Sequence, residues 1–90
     1  MDVLQVGFAG DDAVVALANG QVSSLDLKAR KVKDKLLRHE DRVNELAVIA
    51  SPDSTRIVTG CHDGEVRVFD LQKKTEVLKF IASPGTTTPP

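Results

Sequence analysis

The chain has 90 residues, of which 41% are hydrophobic and 28% are charged, a composition typical of a single small globular domain. Its 12 basic and 13 acidic residues nearly cancel, so the overall charge favours neither nucleic acid nor an acidic membrane surface as a partner. The chain shows no secretory leader after Met1, no apolar run near the roughly 18 residues of a membrane span, and a single cysteine, Cys61, which predicts an intracellular protein, cytoplasmic or nuclear and not secreted.

The first half of the chain alternates short strand-like runs with turn signals. Residues 2–8 alternate apolar and polar side chains, and residues 13–17 form an apolar, β-rich run. Asn19-Gly20 is a hairpin dipeptide, and residues 21–27 and 31–37 predict two further strands. These runs predict one unit of four antiparallel strands.

The second half repeats this pattern. Ile57-Val58-Thr59 is a β-rich run, and Asp63-Gly64 is the strongest hairpin signal in the chain. Asp63 and Gly64 each lie 44 residues after Asn19 and Gly20, and Asp70 lies 44 residues after Asp26. A period of roughly 40–45 residues is typical of β-propeller blades.

Residues 39–71 resemble one WD-repeat, the unit blade of a β-propeller. The resemblance rests on His39, the turn Ser51-Pro52-Asp53, the strand carrying Thr59, the Asp63-Gly64 turn and the closing Phe69-Asp70. The sequence departs from the family pattern at Arg38, where a glycine is usual, and at Phe69, where a tryptophan is usual. The resemblance implies an all-β fold of two four-stranded antiparallel blades, a partial propeller.

The resemblance also implies a buried hydrogen-bonded chain in the second blade, whose members would be His39, Thr59, Asp63 and Phe69. A buried carboxylate requires donors, and the histidine ring can bond the carboxylate and the threonine hydroxyl at once. Phe69 has no indole N–H, so the last link is missing. The first blade has Val15 at the threonine position and Leu25 at the tryptophan position, which predicts apolar packing alone.

The repeat predicts a first blade over residues 1–38, which lacks its leading histidine, and a second blade over residues 39–82. Residues 83–90 hold three prolines and three threonines and are expected to form an unstructured tail. Two blades cannot close a propeller. We therefore expect further blades, from the same or another chain, or self-association, and expect the isolated chain to be oligomeric, aggregated or partly folded.

No enzyme activity, cofactor or metal site is predicted. Cys61, His62, Asp63 and His39 include metal-ligand types, but the spacings of a zinc site are missing. Cys61 and His62 are adjacent on a predicted strand and would point to opposite faces, which disfavours a nucleophile pair. The basic run from Lys28 to Arg42 is interrupted by acidic residues and contains no aromatic residue for base stacking.

The resemblance therefore implies a non-catalytic scaffold for protein–protein interaction. The loop before the fifth strand and the turn after the sixth are expected on the same rim of the blade, with His39 and Asp63 turned inward. The outward side chains, a mixed-charge group suited to a protein partner, would be Arg38, Glu40, Asp41, Arg42 and His62. The alternative is nucleic-acid or acidic headgroup binding through the basic run Lys28–Arg42.

Overall fold

A computed structural model describes residues 2–82, which form eight strands in two sheets. The strands are β1 Val3–Ala9, β2 Asp12–Leu17, β3 Gln21–Asp26, β4 Lys31–Arg38, β5 Val43–Ala50, β6 Thr55–Cys61, β7 Glu65–Asp70 and β8 Thr75–Ile81. Strands β1 to β4 pair antiparallel in chain order as sheet 1, and β5 to β8 pair in the same way as sheet 2. The predicted all-β class with two four-stranded antiparallel sheets is confirmed, whereas the predicted tail, residues 83–90, lies outside the described residues.

Within residues 2–82 there is no helix with the length and apolarity needed to cross a membrane.

The central hairpin of each sheet is built on the same turn. Gly20 has φ 90° and Gly64 has φ 92°, a left-handed conformation that glycine adopts without steric cost. The preceding side chains, Asn19 and Asp63, each accept a hydrogen bond from the backbone N–H two residues later, at 3.0 and 2.9 Å. Both turns follow from the Asn-Gly and Asp-Gly dipeptides in the sequence.

The turns between the last two strands of each sheet are also equivalent. Asp26 accepts a backbone hydrogen bond from Ala29, and Asp70 accepts two from the corresponding turn. Arg30 and Lys74, which lie 44 residues apart, both adopt left-handed φ values of 58° and 54°. A residue other than glycine is strained in that region.

The two sheets pack face to face, and the core lies between them. Strand β1 contacts β5, so the first strands of the two sheets are neighbours. Gly7 on β1 permits this approach, because a Cβ at that position would lie 2.7 Å from Leu46 and 2.8 Å from Val48. The buried apolar side chains of this core are Val14, Ala16, Val22, Val43, Ile57 and Phe69.

The first strands of the two sheets match at a different spacing from the others. Val14 and Val58 are equivalent positions, 44 residues apart; Val14 pairs with Gly7, and Val58 pairs with Ala47. The paired residues lie 7 apart in the chain in sheet 1 and 11 apart in sheet 2, so the hairpin joining the first two strands is four residues longer in sheet 2. Strand β5 follows β1 by 40 residues, while β6 follows β2 by 44.

Candidate functional site

His39 lies in the connection between the two sheets and contacts both. Its backbone N–H donates a hydrogen bond to the Gly20 carbonyl oxygen in sheet 1 at 2.9 Å. Its side chain is fully buried and turns into sheet 2. A polar ring buried in this position needs polar groups close to both of its nitrogens.

The first partner is Thr59 on β6, also fully buried. His39 Nε2 lies 2.7 Å from Thr59 Oγ1, within hydrogen-bond distance. The structure thus brings together two residues that the family resemblance implies are neighbours in a buried hydrogen-bonded chain.

The acid beside His39 is Glu65 on β7, which the sequence analysis did not propose. Glu65 Oε1 lies 2.9 Å from His39 Nδ1 and 2.9 Å from Arg67 Nε. Lys79 Nζ lies 3.7 Å from the other carboxylate oxygen. Thr59 pairs across the sheet with Arg67, two residues beyond Glu65, so strand alternation places Glu65 on the face that carries the threonine. That alternation is the sequence signal that could have identified it.

The inward orientation expected for Asp63 is wrong. Its side chain is exposed and accepts a hydrogen bond from the Glu65 backbone N–H inside its own turn. That N–H, together with the Cys61 side chain, holds the pKa of the Asp63 carboxyl below its ordinary value. A short carboxylate bonded within an exposed turn remains hydrated, which leaves the position beside His39 to the longer glutamate side chain.

The protonation of His39 follows from its neighbours. Burial is the main cause that lowers the pKa of the imidazole, and the positive charge of Arg67 adds to it, while Glu65 acts in the opposite direction. The ring is therefore neutral at pH 7. Because a carboxylate can only accept, the ring proton belongs on Nδ1, and Nε2 accepts a hydrogen bond from the Thr59 hydroxyl.

The Glu65 carboxylate is shared between two buried nitrogens. His39 Nδ1 and Arg67 Nε both approach Oε1, yet neither aligns with it as a hydrogen bond. Arg67 is anchored elsewhere, since its Nη1 donates to the Arg38 carbonyl oxygen at 3.1 Å. Removing Glu65 would leave these two groups without their common acceptor. We call His39, Thr59, Glu65 and Arg67 the buried network.

Phe69 lies apart from the buried network. It is buried in the apolar core and pairs across the sheet with Ile57. Its ring fills space between the sheets and supplies no hydrogen bond, as its chemistry dictates.

The equivalent face of sheet 1 carries different side chains. Val15 and Leu25 occupy the positions of Thr59 and Phe69 and are apolar. The expectation of apolar packing alone is wrong at Ser23, which is buried, and at Gln21, the counterpart of Glu65. Its side-chain amide donates hydrogen bonds to the carbonyl oxygens of Val22 and Leu37, both at 3.1 Å.

The loop before β5 and the turn after β6 lie side by side on one rim. The His62 N–H donates a hydrogen bond to the Arg42 carbonyl oxygen at 2.9 Å. Gly20 lies under this loop, because any Cβ there would collide with the carbonyl oxygens of His39 and Asp41. The predicted outward side chains, which we call the rim cluster, are all exposed: Arg38, Glu40, Asp41, Arg42 and His62.

Cys61 and the basic run have separate surroundings. Cys61 is buried, and burial is the main cause that raises the pKa of its thiol. Among residues 2–82, no group of three or more histidine, cysteine or acidic side chains is placed to hold a metal ion. In the basic run, Lys33 Nζ lies 2.9 Å from Asp12, whose hydrogen bond raises the lysine pKa.

Lys31, Lys33 and Lys35 alternate with other residues along β4, yet they do not share one face of the sheet. The pairing of β3 with β4 shifts register twice, once on each side of the pairs that Lys35 and Asp34 make. Each shift changes which face the following side chain occupies. The lysines therefore form no continuous row.

No protein-family model matches this sequence, and the search of curated proteins found no match. Among solved structures, the chain is similar to the computationally designed Ika4 protein, with a TM-score of 0.73 and 18% identity. The match covers 91% of this chain and 49% of the Ika4 chain, so this chain spans about half its length. The computationally designed Ika8 protein has a TM-score of 0.47 and 12% identity, over 87% of this chain and 36% of that one. The likeness to Ika4 concerns the fold alone.

Proposed function

We propose that residues 2–82 are two consecutive blades of a WD-repeat-like β-propeller that acts as a non-catalytic scaffold for protein–protein interaction. The proposal is supported by the strand order of the two sheets and by the contact between their first strands. It is also supported by the buried residues His39 and Thr59, which belong to the hydrogen-bonded chain that the resemblance implies and lie within hydrogen-bond distance of each other.

The rim cluster is the observation on which the binding function rests. It joins two arginines, two acids and a histidine on adjacent loops, all exposed. The loops are held from below by the buried network, through the Arg67 bond to the Arg38 carbonyl and the His39 bond to Gly20. A preordered surface of mixed charge suits a complementary protein surface better than a uniform row of phosphates.

Arg42 is the expected centre of this surface. Its guanidinium is exposed, while its backbone carbonyl is tied to His62. Arginine can form paired hydrogen bonds and stack on aromatic rings, and it is enriched among residues that dominate binding energy. Truncating it removes those contacts without disturbing the loop backbone.

The alternative, nucleic-acid or headgroup binding through the basic run, has less support. Lys28 and Arg30 lie in the turn before β4, whereas Arg38 is the last residue of β4 and Arg42 lies beyond its end. A strand of that length spans roughly 25 Å, so the run does not form one patch. Lys33 is engaged with Asp12, and Asp34 lies 3.5 Å from Lys74.

The test compares Arg42→Ala with Lys35→Ala, an exposed lysine on β4. Lys35 is a better control than Lys33, because Lys33 contacts Asp12. For a protein partner captured on the wild-type chain, we expect Arg42→Ala to weaken binding by about 1–2 kcal/mol and Lys35→Ala by less than about 0.3 kcal/mol. Titration calorimetry measures both, and thermal unfolding checks that neither variant changes stability.

Two outcomes would contradict the proposal. If Lys35→Ala costs more binding than Arg42→Ala, the interaction surface is the edge strand. If binding weakens steeply with salt in proportion to the number of basic side chains, the partner is a polyanion and the alternative function holds.

A further inference from the structure

Each sheet leaves one face uncovered among residues 2–82. On sheet 1, cross-strand pairs place Phe8, Ala13, Leu25 and Val32 in one row of that face, and Phe8 is 70% exposed. On sheet 2, the uncovered face carries the exposed Leu78 and Phe80. We call these surfaces outer face 1 and outer face 2. Outer face 1 is formed by Val6, Phe8, Leu25 and Val32 around the buried side chains of Ala13 and Val15, and outer face 2 is formed by Ile49, Val58, Val66, Val68, Leu78 and Phe80.

Outer face 2 is the counterpart of the face of sheet 1 that is already covered. Val58 and Val66 lie 44 residues after Val14 and Val22, which are fully buried beneath sheet 2. On the first strands, Ala47 pairs with Val58 as Gly7 pairs with Val14. Outer face 2 therefore repeats a surface that is buried elsewhere in the same chain.

Outer face 1 is the counterpart of the inner face of sheet 2, which packs against sheet 1. Ala13 and Leu25 lie 44 residues before Ile57 and Phe69, both buried in the core between the sheets. Phe8 pairs with Ala13 as Val48 pairs with Ile57, and Val48 packs against that core. The two outer faces are thus related to each other as the two faces that meet within the chain.

We infer that a second copy of this chain stacks head to tail on the first, with outer face 2 of one copy against outer face 1 of the next. The stack repeats between copies the contact that sheets 1 and 2 make within one chain, and it buries both Phe8 and Phe80. Such an interface is heterologous, so each copy keeps one unused face until a ring closes. The inference rests on the repeat of the two sheets and is independent of the rim cluster.

A second copy fits better than like faces meeting each other. Pairing outer face 1 with outer face 1 would bring two Phe8 rings together, a contact for which the chain has no internal precedent. The head-to-tail contact has an internal precedent in the packing of sheet 1 against sheet 2, where Val14, Val22 and Ile57 are fully buried. In that contact, valines of sheet 1 pack against larger apolar side chains of sheet 2.

The test uses two variants of the 90-residue chain, Phe8→Glu and Phe80→Glu, each of which places a charge on one outer face only. Ala29→Glu is the matched control, because Ala29 is exposed in the turn after β3 and its counterpart 44 residues later, Lys73, is exposed as well. Light scattering behind a sizing column measures mass, and far-UV circular dichroism checks strand content. We expect the wild type and Ala29→Glu to run at a multiple of the 9.7 kDa chain mass, and each Phe→Glu variant alone to run as a monomer.

Mixing the two variants gives the decisive result. Phe8→Glu retains outer face 2 and Phe80→Glu retains outer face 1, so one productive contact remains and an equimolar mixture should form a 1:1 dimer and nothing larger. A folded, monomeric wild type overturns the inference, as does a dimer formed by either variant alone, which would mean that like faces pair. If a glutamate variant loses its strand signal, Phe8→Ser and Phe80→Ser replace the two glutamate variants. The mass of the wild type measured alone still decides whether copies associate.

Discussion

Sheets 1 and 2 share strand order, the turns of their last two hairpins and the left-handed turn residues, yet their equivalent faces carry different side chains. Gly20 matches Gly64 and Arg30 matches Lys74 in backbone conformation. On the inner face of sheet 2, a histidine, a threonine, a glutamate and an arginine form the buried network, whereas the positions of sheet 1 equivalent to Thr59, Glu65 and Arg67 hold the uncharged Val15, Gln21 and Ser23. The repeat is therefore carried by turn chemistry, and the side chains on equivalent faces can change without changing the strand order.

The largest expected effect comes from removing the shared acceptor of the buried network. Glu65→Leu leaves His39 Nδ1 and the Arg67 guanidinium facing an apolar group, and we expect the free energy of unfolding to fall by about 2–4 kcal/mol. The matched change in sheet 1, Gln21→Leu, removes two side-chain hydrogen bonds and should cost about 1 kcal/mol or less. Urea unfolding of both variants measures the difference, and equal losses would contradict the contrast between the equivalent faces.

The second prediction concerns Gly20, where sheet 1 supports the rim loop. Gly20→Ala forces a left-handed alanine into the carbonyl oxygens of His39 and Asp41 and should cost about 2–4 kcal/mol. Gly10→Ala is the control, since Gly10 is also left-handed, at φ 64°, but has no atom near the added Cβ. It should cost only about 1 kcal/mol. Equal losses in thermal unfolding would show that the loop does not rest on Gly20.

Acid should destabilise the chain in two separate pH ranges. Because the pKa of His39 is lower in the folded chain, the unfolded chain binds more protons, and the free energy of unfolding falls as pH falls below about 6.5. The folded pKa of Asp70 is also low, chiefly because the Lys73 backbone N–H stabilises the carboxylate, so a further loss accumulates as pH falls through 3.8, the ordinary value, toward the lower folded pKa. Urea midpoints measured between pH 7 and 3 resolve the two ranges.

Two histidine variants assign the upper range. His39→Gln should unfold more easily at pH 7 but lose the pH dependence just below 6.5, since no buried imidazole remains to be protonated. His62→Gln, at the exposed histidine of the rim cluster, should retain it. Loss of the upper range in His62→Gln would contradict the assignment to the buried network.

The smallest effects are expected at the two strained turns. Arg30→Gly and Lys74→Gly should each raise the free energy of unfolding by about 0.5–1 kcal/mol, because glycine adopts the left-handed conformation without steric cost. The exposed Lys74–Asp34 contact should reduce the second gain by no more than a few tenths of a kcal/mol. Gains that differ by more than this in thermal unfolding would mean that the two turns are not equivalent.

The sequence alone predicted the eight strands and the hairpins well, because Asn19-Gly20 and Asp63-Gly64 are strong local signals. It also placed Thr59 beside His39, through the family resemblance. The same resemblance assigned the acid beside His39 to Asp63, because the family pattern identifies that residue by its position in the turn. The pattern carries no information about the Glu65 backbone N–H, which binds the Asp63 carboxylate inside the turn. Alternation along β7 pointed to Glu65, but the family pattern obscured it.

The packing of the first strands was beyond prediction for a different reason. The 44-residue period fails between β1 and β5, where the longer hairpin in sheet 2 reduces the spacing to 40. The 44-residue period was derived from the second to fourth strands of each sheet, so it does not reveal a change in length confined to the hairpin before them. The close approach at Gly7 depends on that register and so became visible only in three dimensions.

The buried network is tested most directly by the protonation of the two histidine rings at pH 7, read from long-range proton–nitrogen correlation spectra of the labelled chain. We predict a neutral His39 with its proton on Nδ1 and an unprotonated Nε2 that accepts from Thr59, distinct from the solvent-exposed His62. In Thr59→Val, the His39 Nε2 resonance should shift because its donor is gone. A proton on Nε2, a charged His39 ring, or a spectrum in which His39 and His62 behave alike would contradict the arrangement of His39 between Thr59 and Glu65.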